Sequence, residues 1–217
     1  MLIDVAGSRP SYVLGTAERD MQDFLAAHLR AGDVVFDLGA NVGFFTLVAA
    51  ALVGPSGRVV AYEPLPTNAV ALRRNVGLNE LANVEVVEAA VSAAVGTAEL
   101  DPNGSDQEGS LVVHRGSATI SVPTVSVDAE ADRLAVAPTL VKIDVEGAEG
   151  DVLTGMMRTL GTARPIVVCE VHQHHHDLSD PIPAALRAAG YDVTWLEPEA
   201  QSPDGFWAPH LVGVPRR

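Results

Sequence analysis

The chain is poor in several things at once, and each shortage closes a class of explanation. It has one cysteine in 217 residues, Cys169, so no internal disulfide framework exists and a reducing compartment fits. Lysine is rarer than composition requires: Lys142 stands alone against thirteen arginines, a bias that by itself carries no mechanistic information. Aromatic residues make up 5%. No uninterrupted run of about 18 apolar residues occurs, so no membrane span is expected. The opening MLIDVAGSRP lacks the basic start and apolar middle of a secretory signal. Positive charge is short overall, and the net charge of −14 argues against general binding to nucleic acid or an anionic membrane. What is abundant is apolar: 47% of residues, with a mean hydropathy of +0.20, enough to bury a substantial core. The expectation is one cytoplasmic globular domain over residues 1–217; high apolar content for this length also suggests a homodimer.

Residues 34–46, VVFDLGANVGFFT, hold the strongest local signal. An apolar strand, Val34–Leu38, runs into Gly39, Asn41 and Gly43 before an apolar helix over 44–53. Glycines permit a tight turn and close approach of a ligand, and a nucleotide-like cofactor is the usual occupant of the carboxyl end of a parallel strand. A dinucleotide fingerprint needs a third glycine, and Phe44 stands there instead. Asp37 would repel a phosphate but welcome a sulfonium and an ammonium. Glu63 follows 26 residues later at the end of a second strand (RVVAYE, 58–63), where a carboxylate can accept both hydroxyls of a ribose. S-adenosylmethionine, which has a ribose and no phosphate, suits this set better than NAD(P). A bare strand–helix turn with no ligand is the bland alternative.

Strand and helix alternate through helix 66–76 and a third strand over 83–92, as expected for βαβ units and a parallel sheet. An amphipathic N-terminal helix precedes them within 16–31, with Thr16 as cap and Met21, Phe24, Leu25 and Leu29 on one face, inside an N-terminal segment 1–32. Between 95 and 127 short β segments surround a polar loop (101–110), suggesting a β-hairpin excursion. Alternation resumes with a strand at 140–145, a helix over 149–160, a strand at 166–171, a helix at 181–189 and strands at 191–196 and 209–214.

Two later strand ends carry further chemistry. In LVKIDVEGAEGDVL (140–153), Asp144 sits at the strand's carboxyl end, with Lys142 as a neutralising partner or simply a strand-end charge. Glu149 and Asp151 suit the dipole of the next helix. In VVCEVHQHHHD (167–177), strand alternation puts Glu170 and His172 on one face, and His174, His175 and His176 follow. Asp144, Glu170 and His172 could form an O,O,N site for Mg²⁺ or Mn²⁺; equally, His172 could be a metal-free general base. Both readings stand open.

With these residues in view, the chain resembles the FkbM family of S-adenosylmethionine-dependent O-methyltransferases. Three blocks carry the resemblance across roughly residues 30–175: VFDLGANVGFFT with YEP (62–64), LPTNAVALRRNVGLN (65–79), and VKIDVEGAEGDVL with the later CEVH. The resemblance implies an α/β, Rossmann-like class I methyltransferase fold with a mostly parallel seven-stranded sheet whose last strand is antiparallel. It implies that Asp37, Gly39, Asn41 and Gly43 surround the methionine part, that Glu63 holds the ribose, and that Glu88, Ala89 and Ala90 flank the adenine. It also implies methyl transfer to a hydroxyl of a natural product. Asp144, Glu170 and His172 would be the catalytic group on the acceptor side. A polar entrance with few aromatics favours a sugar or oligosaccharide acceptor. The histidine-rich run after His172 departs from the family pattern. An NAD(P)-dependent oxidoreductase and a non-catalytic adenosylmethionine-binding protein are the competing classes.

Overall fold

A computed structural model describes residues 2–3, 18–102, 119–171, 181–196 and 210–216. Its central element is a seven-stranded sheet built from β1 (Val34–Leu38), β2 (Arg58–Tyr62), β3 (Val84–Val87), β7 (Leu140–Ile143), β8 (Ile166–Glu170), β9 (Tyr191–Trp195) and β10 (His210–Pro215). Their order is β3-β2-β1-β7-β8-β10-β9. The strands from β3 to β8 run parallel, while β10 pairs antiparallel with both β8 and β9. A second sheet, in the order β4-β6-β5, joins β4 (Ala90–Val91), β5 (Gly96–Leu100) and β6 (Ile120–Val125). The antiparallel β5–β6 pair is the expected hairpin; residues 103–118 between them lie outside the described residues.

Strands buried on both faces read as near-continuous apolar runs, and these strands do. One face packs against α1 (Arg19–His28) and α2 (Phe44–Val53): Val35, Leu140, Val168 and Val212 meet Met21, Leu25, Phe45 and Val53. On the same side α3 (Pro66–Leu78) sets Leu72 against Ala40 and Ala61. The other face, with Phe36, Leu38, Val141, Ile143, Val167 and Cys169, is covered by four helices: α4 (Val127–Leu134), α5 (Glu149–Thr154), α6 (Met157–Thr162) and α7 (Pro181–Ala188). Among the described residues no helix is long and apolar enough to cross a membrane.

Four local expectations need correction. The third strand does not run over 83–92: β3 ends at Val87 against β2, and Ala90–Val91 leaves to pair with β6. The apolar run is continuous there, so periodicity has nothing to mark the change of partner. The helix over 149–160 is two helices. Asp128 accepts hydrogen bonds from the backbone N–H groups of Arg158 and Thr159, which caps α6 and gives it a separate start. The helix α4 itself replaces the end of an expected β segment. Ser126 accepts from the N–H of Ala129 at 3.3 Å and starts it, an N-cap signal that stood in the sequence. At the N-terminal helix, Glu18 and not Thr16 precedes the first turn, and Thr16 lies outside the described residues.

Candidate active site

The carboxyl ends of β2, β1, β7 and β8 and the start of β10 form one edge of the main sheet. The turn after β1 is wound tightly. Gly39, Asn41 and Gly43 all have positive φ (76°, 51° and 95°). A Cβ on Gly39 would stand 1.7 Å from the carbonyl oxygen of Asp144, and one on Gly43 would stand 2.3 Å from Leu72 Cδ1. Glycine at 39 is therefore required twice over, by its backbone angle and by the backbone of the β7 end.

Five consecutive N–H groups of this turn donate within the protein. Gly39 and Ala40 both reach the carbonyl of Tyr62, and Gly43 reaches that of Ala40. Asn41 donates to Glu63 Oε2 at 2.8 Å, and Val42 to the Asn41 side chain. A phosphate-binding turn works by pointing free N–H groups at its ligand. These five point elsewhere.

Glu63 is buried and shapes the same turn. Besides Asn41, it accepts from the N–H of Leu65 at 2.9 Å and from the Asn68 side chain. Burial pushes its pKa up to about 7 despite these donors. Glu88 lies further along, half in solvent and paired with Arg73 at 2.8 Å, while Ala89 and Ala90 are buried.

Asp37 is 1% exposed and faces inward, on the side of α2. It accepts from Thr46 Oγ1 at 2.5 Å, and its other oxygen lies 3.3 Å from Lys142 Nζ. Lys142 also reaches Asp144 Oδ2 at 3.2 Å and the carbonyl of Gly39 at 3.3 Å, over the ring of Phe45. The single lysine thus ties β1 to β7. Burial alone would drive its pKa down, but Asp37 and Asp144, with Glu170 and Glu18 beyond them, hold the ammonium above its ordinary value.

Asp144 and Glu170 do come together. Ile143 pairs with Cys169, so the next residues on the two strands are Asp144 and Glu170. Glu149 is buried and accepts from the N–H of Gly147 at the start of α5, a structural duty of the kind expected for it. His172, and His174 to His176, lie outside the described residues. Glu170 pairs directly across the sheet with His210, the first residue of β10.

His210 is the residue that sequence reading missed. It is 1% exposed, with Nε2 3.2 Å from Glu18 Oε2 and 4.0 Å from Glu170 Oε2, and Nδ1 3.9 Å from Asp20 Oδ2. Burial would lower the imidazole's pKa; Glu18, Glu170 and Asp20 outweigh it and raise it. Strand alternation from the apolar Val212 would have put His210 on this face, but nothing local announces Glu18 or Asp20 as its neighbours. Among the described residues, six carboxylates along this edge (Glu18, Asp20, Asp37, Glu63, Asp144 and Glu170) stand with Lys142 and His210.

The strand order and the site at the carboxyl edge define a Rossmann-like class I methyltransferase fold. Residues 37–193 match the methyltransferase FkbM domain, and the chain belongs to that family. It is 32% identical to the 31-O-demethyl-FK506 methyltransferase FkbM of Streptomyces tacrolimicus, over 76% of this chain and 75% of that protein. It is 30% identical to the hexuronic acid methyltransferase AglP of Haloferax volcanii, over 71% of this chain and 62% of that one. Among solved structures, the methyltransferase FkbM of Methylobacillus flagellatus KT superposes with a TM-score of 0.60 at 18% identity, covering 95% of this chain and 56% of that one. Aeropyrum pernix fibrillarin, solved with natively bound S-adenosyl-L-methionine, gives a TM-score of 0.58 at 13% identity, over 90% and 74% of the two chains.

Proposed function

We propose that this chain is an S-adenosylmethionine-dependent O-methyltransferase acting on a hydroxyl of a small natural product, most simply a sugar or oligosaccharide. The observation that carries the reading is the turn whose five N–H groups are already committed, beside a buried edge rich in carboxylates. Such a turn has nothing to offer a pyrophosphate, which counts against an NAD(P)-dependent oxidoreductase. It suits a cofactor that has a ribose and carries positive charge.

When bound, adenosylmethionine supplies a methyl group made electrophilic by its sulfonium. Everything else falls to this chain. Glu63 offers a carboxylate to the ribose hydroxyls, which would compete with the Asn68 side chain and leave the backbone donors in place. Gly39, Asn41 and Gly43 bring backbone close to the methionine part, and Asp37, through Lys142, keeps that turn fixed against β7. Glu88, Ala89 and Ala90 flank the adenine. On the acceptor side, Glu170 or His172 takes the hydroxyl proton, with Asp144 held by Lys142 at 3.2 Å. In the metal-assisted version, Mg²⁺ or Mn²⁺ on Asp144, Glu170 and His172 would lower the hydroxyl's pKa.

The carbohydrate class draws on the acidic character of the site, on a chain with only 5% aromatic residues, and on the hexuronic acid acceptor named for one relative. Incubating the protein with isotopically labelled adenosylmethionine and a panel of uronic acids, neutral sugars and polyketide alcohols, followed by mass spectrometry, tests it. A labelled O-methyl sugar is the expected product. Cofactor binding in calorimetry with no labelled product from any extract would instead favour a non-catalytic binding protein. Loss of activity after EDTA with recovery on Mn²⁺ would support metal assistance, and unchanged activity after full chelation would remove it. A homodimer belongs to the same reading, and sedimentation velocity checks it.

A further inference from the structure

We infer that Glu18, Glu170 and His210 form a divalent-cation site, with Mn²⁺ or Zn²⁺ as the fitting metals. These three side chains come from the residue before α1, the end of β8 and the start of β10, and one ligand atom from each lies within 4.8 Å of the other two. His210 is the decisive member. Both of its ring nitrogens are shut off from solvent and, apart from the 3.2 Å approach of Nε2 to Glu18 Oε2, are left without a hydrogen bond, as is Asp20 Oδ2. A buried imidazole and a buried carboxylate oxygen left in this state are costly unless something else binds them.

Charge makes the same point. Glu18, Asp20 and Glu170 carry three negative charges and a protonated His210 returns one, leaving −2 among side chains no more than 13% exposed, with Lys142 the next cation along the edge. A divalent cation on Glu18, Glu170 and a neutral His210 brings the same four residues from −2 to −1, with the three ligands and the metal neutral together. The spacing suits it. With metal–ligand bonds of about 2.1 Å, neighbouring octahedral ligands stand about 3.0 Å apart and opposite ones about 4.2 Å. The separations from Nε2 are 3.2 Å to Glu18 and 4.0 Å to Glu170. Asp20 faces the other ring nitrogen at 3.9 Å, so a closing of under an ångström lets it accept from Nδ1–H and fix the tautomer that presents Nε2. An imidazole with two carboxylates favours Mn²⁺ or Zn²⁺ over the all-oxygen preference of Mg²⁺.

The site differs from the Asp144, Glu170 and His172 set and shares only Glu170 with it. It would tie the start of α1 to two strand ends beside the acceptor-side residues. Its existence does not depend on methyl transfer, so binding is read without adenosylmethionine. Mn²⁺ is titrated into the full chain, followed by calorimetry and electron paramagnetic resonance. The variants are His210→Ala, Glu18→Gln, His172→Asn, and a triple replacement of His174, His175 and His176 by Asn. One Mn²⁺ per chain is expected, weakened at least tenfold by His210→Ala and by Glu18→Gln, and kept within threefold by the other two. Mn²⁺ should raise the Tm of the unmodified protein and leave that of Glu18→Gln unmoved, which guards against a misfolded His210 variant. Zn²⁺ should displace bound Mn²⁺. No site tighter than millimolar, a site indifferent to Glu18→Gln and His210→Ala, or a site lost only with His174 to His176 would overturn the inference.

Discussion

The two halves of the carboxyl edge are built on opposite principles. In the β1–β2 half, five N–H groups, the Glu63 carboxylate and Thr46 all find partners within the protein, and Asp37 Oδ1, buried without a hydrogen bond, lies 3.3 Å from the Lys142 ammonium. In the half around β8 and β10, Asp20 Oδ2 and His210 Nδ1 are buried without a hydrogen bond. The matched half is a finished cradle that positions a ligand by shape and charge. The second half gathers three carboxylates around one buried imidazole. Lys142 sits on the seam and serves both.

Breaking the cradle at its tightest point should have the largest effect. Gly39→Ala must move backbone at Asp144 and force a left-handed φ on alanine, so a loss of more than about 3 kcal/mol is expected in urea unfolding, together with loss of adenosylmethionine binding. A stable Gly39→Ala protein that binds cofactor normally would show that the turn is looser than its contacts indicate. Cutting the seam comes next. Lys142→Met leaves the buried Asp37 without its cation, with the quarter-exposed Asp144 also unpaired from it, and should cost about 3–5 kcal/mol. Adding Asp37→Asn to Lys142→Met should recover part of that loss, since one unpaired charge is removed with it. A strictly additive double mutant would mean that the pair is not coupled.

Glu63 gives a pH signature to the matched half. Its folded pKa of about 7 lies above the ordinary glutamate value of 4.5, so folding favours the neutral carboxyl. Its contribution to stability is full below about 4.5 and is lost as pH rises through about 7. Glu63→Gln should flatten that part of the stability–pH curve. Ribose hydroxyls need the ionised form as acceptor, so cofactor affinity should weaken below pH 7 in the unmodified protein and lose this pH dependence in Glu63→Gln. The smallest effect is expected at the rim. Arg73→Ala removes a half-exposed pair with Glu88 and should change stability by less than about 1 kcal/mol and cofactor affinity less than threefold.

Legibility followed the same division. The β1 turn is written in contiguous residues, because a tight turn needs Gly39, Asn41 and Gly43 at fixed positions, and Glu63 follows at the end of the next strand. Asp144 and Glu170 were readable as strand ends, since parallel strands deliver their last residues to one edge. The rest required tertiary contacts. Lys142 reads from sequence as a neutralising partner of Asp144 or a strand-end charge, but its contact with Asp37 exists only once β7 lies beside β1. Glu18 and His210 stand 192 positions apart, and no periodicity links the start of one helix to the start of a strand near the chain's other end. The breaks after Val87 and at Gly155 escaped for a similar reason, being set by β6 and by Asp128 from elsewhere in the fold.

The most direct test of the matched cradle is calorimetric titration of the purified chain with S-adenosylmethionine, S-adenosylhomocysteine and NAD(P). Binding of the two adenosyl ligands, weakened at least tenfold by Glu63→Gln, with no heat from NAD(P), is the expected result. NAD(P) binding with comparable affinity, or adenosylmethionine binding indifferent to Glu63→Gln, would contradict it.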